Sequence, residues 1–317
     1  MREDRSVKRI LSGMILMLGL WPLDAQAQGC TYTVSPVMEF GRITGLPTPQ
    51  IDVTTTISVT CSTLLSVNRR VCLSLPAGSG GLSIADRRMA GPGGDFVQYQ
   101  LYTNAGRTDV WGALGGSSPA VAVDFLLLVG SRTITVTIYG RVFAGQMSKA
   151  VGTYLSNLAP QARWRDFILT PPCQNVTSNL STLPTLTSQL VIDPNCTITA
   201  NPLSFGTVTG ITGHEATSNL SATCTPNAAY TITLNGGSVS GNVNERQMRL
   251  GPGPDTVDYQ LYRDSGRTQV WGDTQATGVT GSGTGSAQSI PVYGSVPAQG
   301  PKPPGLYQDT ITATITF

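Results

Sequence analysis

The sequence predicts an all-β chain of two tandem β-sandwich domains. Three observations predict it: a long internal repeat, apolar residues alternating with a period of two, and Gly/Pro punctuation between the alternating runs. The repeat is direct. Residues 91–112 read GPGGDFVQYQLYTNAGRTDVWG and residues 251–272 read GPGPDTVDYQLYRDSGRTQVWG, identical at 15 of 22 positions. Weaker matches flank it: Cys30 with Cys196, Phe40-Gly41 with Phe205-Gly206, Cys61 with Cys224, Arg87 and Met89 with Arg246 and Met248, and Tyr139-Gly140 with Tyr293-Gly294. The two halves are copies of one domain.

The chain opens on an export signal. Arg2, Arg5, Lys8 and Arg9 give a basic start, residues 10–23 are mostly apolar, and Ala25-Gln26-Ala27 is a small-residue cleavage site. The apolar run is shorter than the ~20 residues that span a bilayer, so residues 1–27 read as a signal peptide whose removal leaves Gln28 first. The expected division that follows is a first domain over 28–175, a linker over 176–190 rich in Ser, Thr and Leu, and a second domain over 191–317.

Strand character is clear at residues 52–60, 133–139 and 310–317, where β-branched or aromatic residues alternate with threonine and other polar residues. With 36 glycines, 21 prolines and only 12% charged residues, the composition fits many short strands joined by turns. A net charge of +2 with scattered arginines provides no phosphate-binding surface, so nucleic acid is not an expected partner.

Six cysteines in an exported chain imply three disulfides, and six allow 15 pairings. The repeat selects among them. Cys30 with Cys61 and Cys196 with Cys224 stand at matching places in the two copies, which leaves Cys72 and Cys173 to pair within the first domain.

Catalytic equipment is sparse. His214 is the sole histidine, so a two-histidine metal site is unavailable and a Ser-His-Asp triad would have to be built on it; it sits in a Gly-rich stretch that reads as a surface turn. There is no G-x-S-x-G elbow and no phosphate-cradling glycine motif. Asp255 and Asp258 read as turn and solvent-face residues, and the duplicated Tyr-Gln-Leu-Tyr and Val-Trp-Gly as core packing. No cofactor or metal is expected.

The ordered set Arg-x-Met, Tyr-x-Leu-Tyr, Trp-Gly, Val-Tyr-Gly and Gly-x-Tyr-x-Asp resembles the spore coat protein U domain family, which includes secreted pilus subunits of archaic, Csu-type chaperone-usher systems. The second half carries it in full at Arg246, Met248, Tyr259, Leu261, Tyr262, Trp271, Gly272, Tyr293, Gly294, Gly305, Tyr307 and Asp309. The first half departs at residues 152–156, which lack the Asp and lead into no clean terminal strand. The resemblance implies two immunoglobulin-like sandwiches, the C-terminal one an incomplete pilin domain lacking its last strand. It implies a tip adhesin that mediates surface attachment and biofilm formation, with a periplasmic chaperone, an outer-membrane usher, an adjacent pilin subunit and a biotic or abiotic surface as partners. A secreted, self-associating coat or matrix protein of the same family is the alternative.

On this reading Thr310, Ile311, Ala313, Ile315 and Phe317 form the edge beside which a donated strand or a chaperone pairs. Nothing in the sequence after Phe317 closes that edge, and only Gln28 and Gly29 precede Cys30, so the chain is expected to accept a strand and not to give one. Surface binding is expected at Phe125, Leu126, Leu127 and Leu128. They lie where the first copy is six residues longer between its Trp and its Tyr-Gly than the second. An exposed contact loop and a buried core strand are both open there.

Overall fold

A computed structural model describes residues 29–44, 47–114 and 119–317; the expected signal peptide lies outside them. The first unit contains β1 (Gly29–Val34), β2 (Val37–Ile43), β3 (Ile51–Ser74), β4 (Arg87–Ala90), β5 (Phe96–Tyr102), β6 (Val121–Val142), β7 (Gly152–Leu158), β8 (Gln161–Phe167), β9 (Ser181–Thr182) and β10 (Leu186–Ile192). The second contains β11 (Cys196–Ala200), β12 (His214–Cys224), β13 (Ala229–Leu234), β14 (Arg246–Leu250), β15 (Thr256–Tyr262), β16 (Val279–Ser282), β17 (Ala287–Val296), β18 (Tyr307–Gln308) and β19 (Ala313–Thr316). Each unit has its own apolar core, as two β-sandwiches require.

Connectivity differs between the copies. In the first, β3 and β6 run through the whole unit and pair from Ile51 with Val142 to Leu73 with Val121, so one ten-stranded sheet folds around the core in the order β2-β10-β7-β4-β5-β6-β3-β8-β9, with β1 on β3. In the second, turns at 225–228 and 283–286 cut the matching strands into β12, β13, β16 and β17. The result is two sheets, β11-β12-β17-β15-β14-β18 and β16-β13-β19.

The repeated motifs are central to each core. Trp111 and Trp271 are fully buried and donate their indole N–H to the carbonyls of Leu73 at 3.0 Å and Ile232 at 2.9 Å. Arg87 and Arg246 are buried too. Arg87 donates to the carbonyls of Leu75, Pro76 and Trp111, and Arg246 to those of Leu234, Asn235 and Trp271. Each also reaches a glutamine side-chain oxygen, Gln100 or Gln260. Burial pushes the Arg87 guanidinium down to about 10, a cost met only because its N–H groups find acceptors. The paired Tyr-Gly motif has a steric cause. A Cβ on Gly140 would stand 2.5 Å from the Met38 sulfur, and one on Gly294 2.9 Å from the Phe205 ring.

Disulfides join Cys30 to Cys61, Cys72 to Cys173 and Cys196 to Cys224. The first and third tie β1 to β3 and β11 to β12 in matching register.

Residues 176–190 do not act as a linker. They supply β9 and most of β10, which inserts into the first sheet antiparallel to β7 and parallel to β2. Leu183, Leu186, Leu190 and Ile192 belong to the first core. Strict alternation from Leu186 to Ile192 gives β10 one inward face, a pattern hidden in the sequence by the intervening Thr, Ser and Gln. The expected terminal strand over 310–317 is also shorter. Only Ala313–Thr316 forms β19; residues 310 and 312 bond instead to the 235–238 turn, Ser238 N–H to the Thr310 carbonyl and Asn235 N–H to that of Thr312. The first copy, by contrast, does carry strands after residue 152, namely β7 and β8.

We predict that Leu190→Ala destabilises the first domain by about 2–5 kcal/mol, the usual cost of truncating a fully buried leucine. Chemical denaturation followed by domain-specific probes checks this; an unchanged first transition contradicts the core assignment of β10.

Candidate functional site

Two features of the fold stand out, an apolar tip on the first domain and an uncovered edge on the second.

The tip arises where β3 and β6 slip past each other. Pairing shifts between Thr63 and Val67 and again between Val67 and Arg69. Each strand therefore bulges, β3 at Leu64-Leu65-Ser66 and β6 at Leu126-Leu127. Leu127 takes the left-handed conformation at φ 49°, and its N–H is accepted by Asn68 Oδ1 at 2.9 Å. Beside the bulges β8 ends at Phe167 and the chain continues into Ile168 and Leu169. Leu64, Leu65, Leu126, Leu127, Ile168 and Leu169 are between 57% and 96% exposed, and Leu127, Ile168 and Leu169 line an open groove of about 780 Å³. Contiguous exposed apolar side chains are uncommon on a folded domain, and this cluster is the candidate contact surface.

Charged pairs and a disulfide hold the tip from beneath. Arg69 is nearly buried, stacks 3.8 Å above the Trp164 ring and donates twice to Asp166, at 2.6 and 3.1 Å, fastening β3 to β8. Arg70 pairs with Asp124 and donates to the Pro171 carbonyl at 2.6 Å; its hydrogen bond to that carboxylate raises the guanidinium above its ordinary value. The Cys72–Cys173 disulfide then pins the chain just beyond Leu169.

This divides the segment expected to bind a surface. Leu126 and Leu127 are exposed, whereas Phe125 and Leu128 are buried in the first core and make no outer contact. Phe125 and Leu128 thus follow the buried-strand alternative and Leu126 and Leu127 the exposed one, because a strand sends successive side chains to opposite faces except where the bulge places two neighbours outward. Leu64, Leu65, Ile168 and Leu169 were missed. Signals existed: the span from Cys61 to the Trp-bonded carbonyl is four residues longer in the first copy than in the second, and the additional cysteine follows Leu169 closely.

The second feature is a difference between the copies at positions matched by the repeat. Tyr154, Leu158, Met38, Phe40 and Met89 are buried in the first domain, where β10 lies over them; their counterparts Tyr307, Ile311, Leu203, Phe205 and Met248 are only half-buried. Among the described residues β18 pairs only with β14 and β19 only with β13, so the outer edge of this final segment is hydrogen-bonded to no strand. Of the residues expected at the edge, Ile311, Ala313 and Ile315 point inward onto the second core, while Thr310 and Phe317 are exposed. Asp309 stands within this edge. Its Oδ1 accepts from Ser238 N–H at 2.8 Å, Ser238 hydroxyl at 2.9 Å and Thr310 N–H at 2.8 Å, and its Oδ2 from the Tyr259 hydroxyl at 2.7 Å.

His214 is the first residue of β12, not part of a turn, and its Nε2 lies 2.8 Å from the Gly210 carbonyl. Asp258 lies in β15 and accepts from Gln247 at 2.9 Å.

Comparison with known proteins follows the repeat. The family model described as the Spore Coat Protein U domain matches twice, at residues 22–159 and 182–314. Protein U of Myxococcus xanthus is 36% identical over 127 residues, 36% of this chain and 71% of that protein. Among solved structures, the chaperone-tip adhesion subunit pre-assembly complex of archaic chaperone-usher Csu pili from Acinetobacter baumannii is similar over 90% of this chain and 100% of that chain, with 14% identity and a TM-score of 0.46. A tip adhesin from Pseudomonas aeruginosa is similar over 91% and 94%, with 12% identity and a TM-score of 0.37.

Serine substitutions at Leu65, Leu126, Leu127 or Ile168 are predicted to change stability by no more than about 0.5 kcal/mol each, whereas Phe125→Ser or Leu128→Ser lowers the melting temperature and the secreted yield. Equal losses from both groups in a thermal melt would place all of these side chains in the core.

Proposed function

The chain belongs to the spore coat protein U domain family, and from that premise we propose that it is the tip adhesin subunit of an archaic chaperone-usher pilus. Its first domain contacts a biotic or abiotic surface, leading to attachment and biofilm formation. Its second joins the fibre by accepting a donated strand. A periplasmic chaperone, an outer-membrane usher and the adjacent pilin subunit are the partners on this reading, and the pilus tip at the cell surface is its location.

The observation that carries the proposal is the inequality of the two copies: one sandwich edge is filled from within the chain, while the matching edge is uncovered. An uncovered edge exposes backbone N–H and C=O groups above a half-buried apolar row, which is the surface that strand addition uses.

The relation of the domains supports a distal tip. The corner of the second domain that matches the apolar tip, turns 225–228 and 283–286, abuts the first domain: Val151 donates its N–H to the Pro226 carbonyl at 3.0 Å and packs on the second core, and Gly285 faces Ser148. The equivalent corner of the first domain is uncovered among the described residues. Domains stacked in this sense leave Leu64, Leu65, Leu126 and Leu127 at the free end.

The test is expression with candidate chaperone, usher and pilin, comparing the native chain with Leu65→Ser/Leu126→Ser/Leu127→Ser/Ile168→Ser. We predict that both chains are captured by the chaperone and reach the fibre end, and that the variant loses most surface attachment. Attachment at the native level by a well-piliated variant would contradict the assignment of the tip. Assembly of the native chain into self-associated material, without chaperone capture, would favour the coat or matrix alternative.

A further inference from the structure

Residues 182–192 fall within the second family match and yet pack in the first domain. The second family match begins at residue 182, ahead of Cys196, the counterpart of Cys30. In the fold the same residues lie in the first domain. Leu186, Ser188, Leu190 and Ile192 are all at most 1% exposed there and stand opposite Leu158, Ser156, Tyr154 and Gly152 of β7. We infer that this segment is the second domain's own leading strand, donated to the first domain of the same chain, and that it is a template for the segment the second domain accepts. The inference deepens the pilus reading and rests on it for the identity of the donor's carrier.

The template fixes direction, register and chemistry. The repeat aligns Tyr154 with Tyr307, which places Gly305, Tyr307, Asp309 and Ile311 where β7 has Gly152, Tyr154, Ser156 and Leu158. An incoming strand then runs antiparallel to residues 305–311 and parallel to residues 201–208. It carries apolar side chains opposite Ile311, Tyr307 and Gly305, the positions of Leu186, Leu190 and Ile192. Burial of these side chains against the half-buried row drives association, and the ladder orders it.

One position differs in kind. Opposite Asp309 the template has Ser188, facing Ser156 in its own domain. A carboxylate there disfavours an acidic partner directly opposite and favours a small hydroxyl that donates to it. The accepted segment is therefore an extended peptide with three apolar residues and one small hydroxyl, never a carboxylate, at four alternate inward positions.

The experiment appends to the full chain, after Phe317, a Gly/Ser linker matching the length of 168–180 and a copy of residues 181–192. Hydrogen exchange of residues 305–311 is then compared with that of a chain bearing the scrambled segment. The copy is expected to slow exchange by roughly tenfold or more. Ser188→Asp within the copy should remove that protection, and Ser188→Thr should retain it. Equal exchange with native and scrambled copies overturns the inference, as does full protection by the Ser188→Asp copy. The pilus reading is judged separately by chaperone and pilin capture of the unextended chain. Capture without protection by the copy sinks the template alone; protection without capture leaves the template and sinks the pilus reading.

Discussion

Covering the edge of β7 is the constraint on which the rest of the first domain depends. Every backbone N–H and C=O along a buried strand needs a partner, and an apolar row beneath an unpaired edge stays in water. In the first domain β10 meets both demands at once. It pairs residue by residue from Leu186 with Leu158 to Ile192 with Gly152 and places its leucines over Met38, Phe40 and Tyr154. In the second domain the same apolar positions remain half-buried, so one sequence repeat yields two surfaces of different chemistry.

What the copies share is the scaffold beneath. A buried arginine held by backbone carbonyls, a tryptophan bonded to the facing strand and a glycine beneath the crossing segment recur in both, and each is an all-or-nothing packing demand. On this common scaffold the corners differ. In the first domain the corner is two opposed bulges crowned with leucines, fastened below by Arg69 with Asp166, Arg70 with Asp124 and the Cys72–Cys173 disulfide. In the second it is a pair of tight turns, against which the first domain packs.

Much of this was legible in the residues because it rests on local pattern or on repetition. The all-β class follows from alternation, the two units from the repeat, and two of the disulfides from matching cysteines. The role of β10 was not legible: Leu186, Leu190 and Ile192 alternate with Thr, Gln and Val, and a parallel pairing with β2 across so much chain leaves no short-range trace. Phe125 and Leu128 could not be separated from Leu126 and Leu127 by composition, since the separation depends on a bulge and on the φ of a single residue, Leu127. Leu64, Leu65, Ile168 and Leu169 join the tip only through the pairing of β3 with β6 and β8, a tertiary fact.

The central claim is that the first sandwich is closed by a strand from its own chain while the matching edge of the second is open. Native-state hydrogen exchange on the unmodified full chain measures this directly. The account predicts that amides of β7 and β10 exchange only with global opening of the first domain, and that residues 305–311 exchange far faster than their counterparts in β7. Fast exchange throughout 186–192, or equal protection of 305–311 and 152–158, would contradict it.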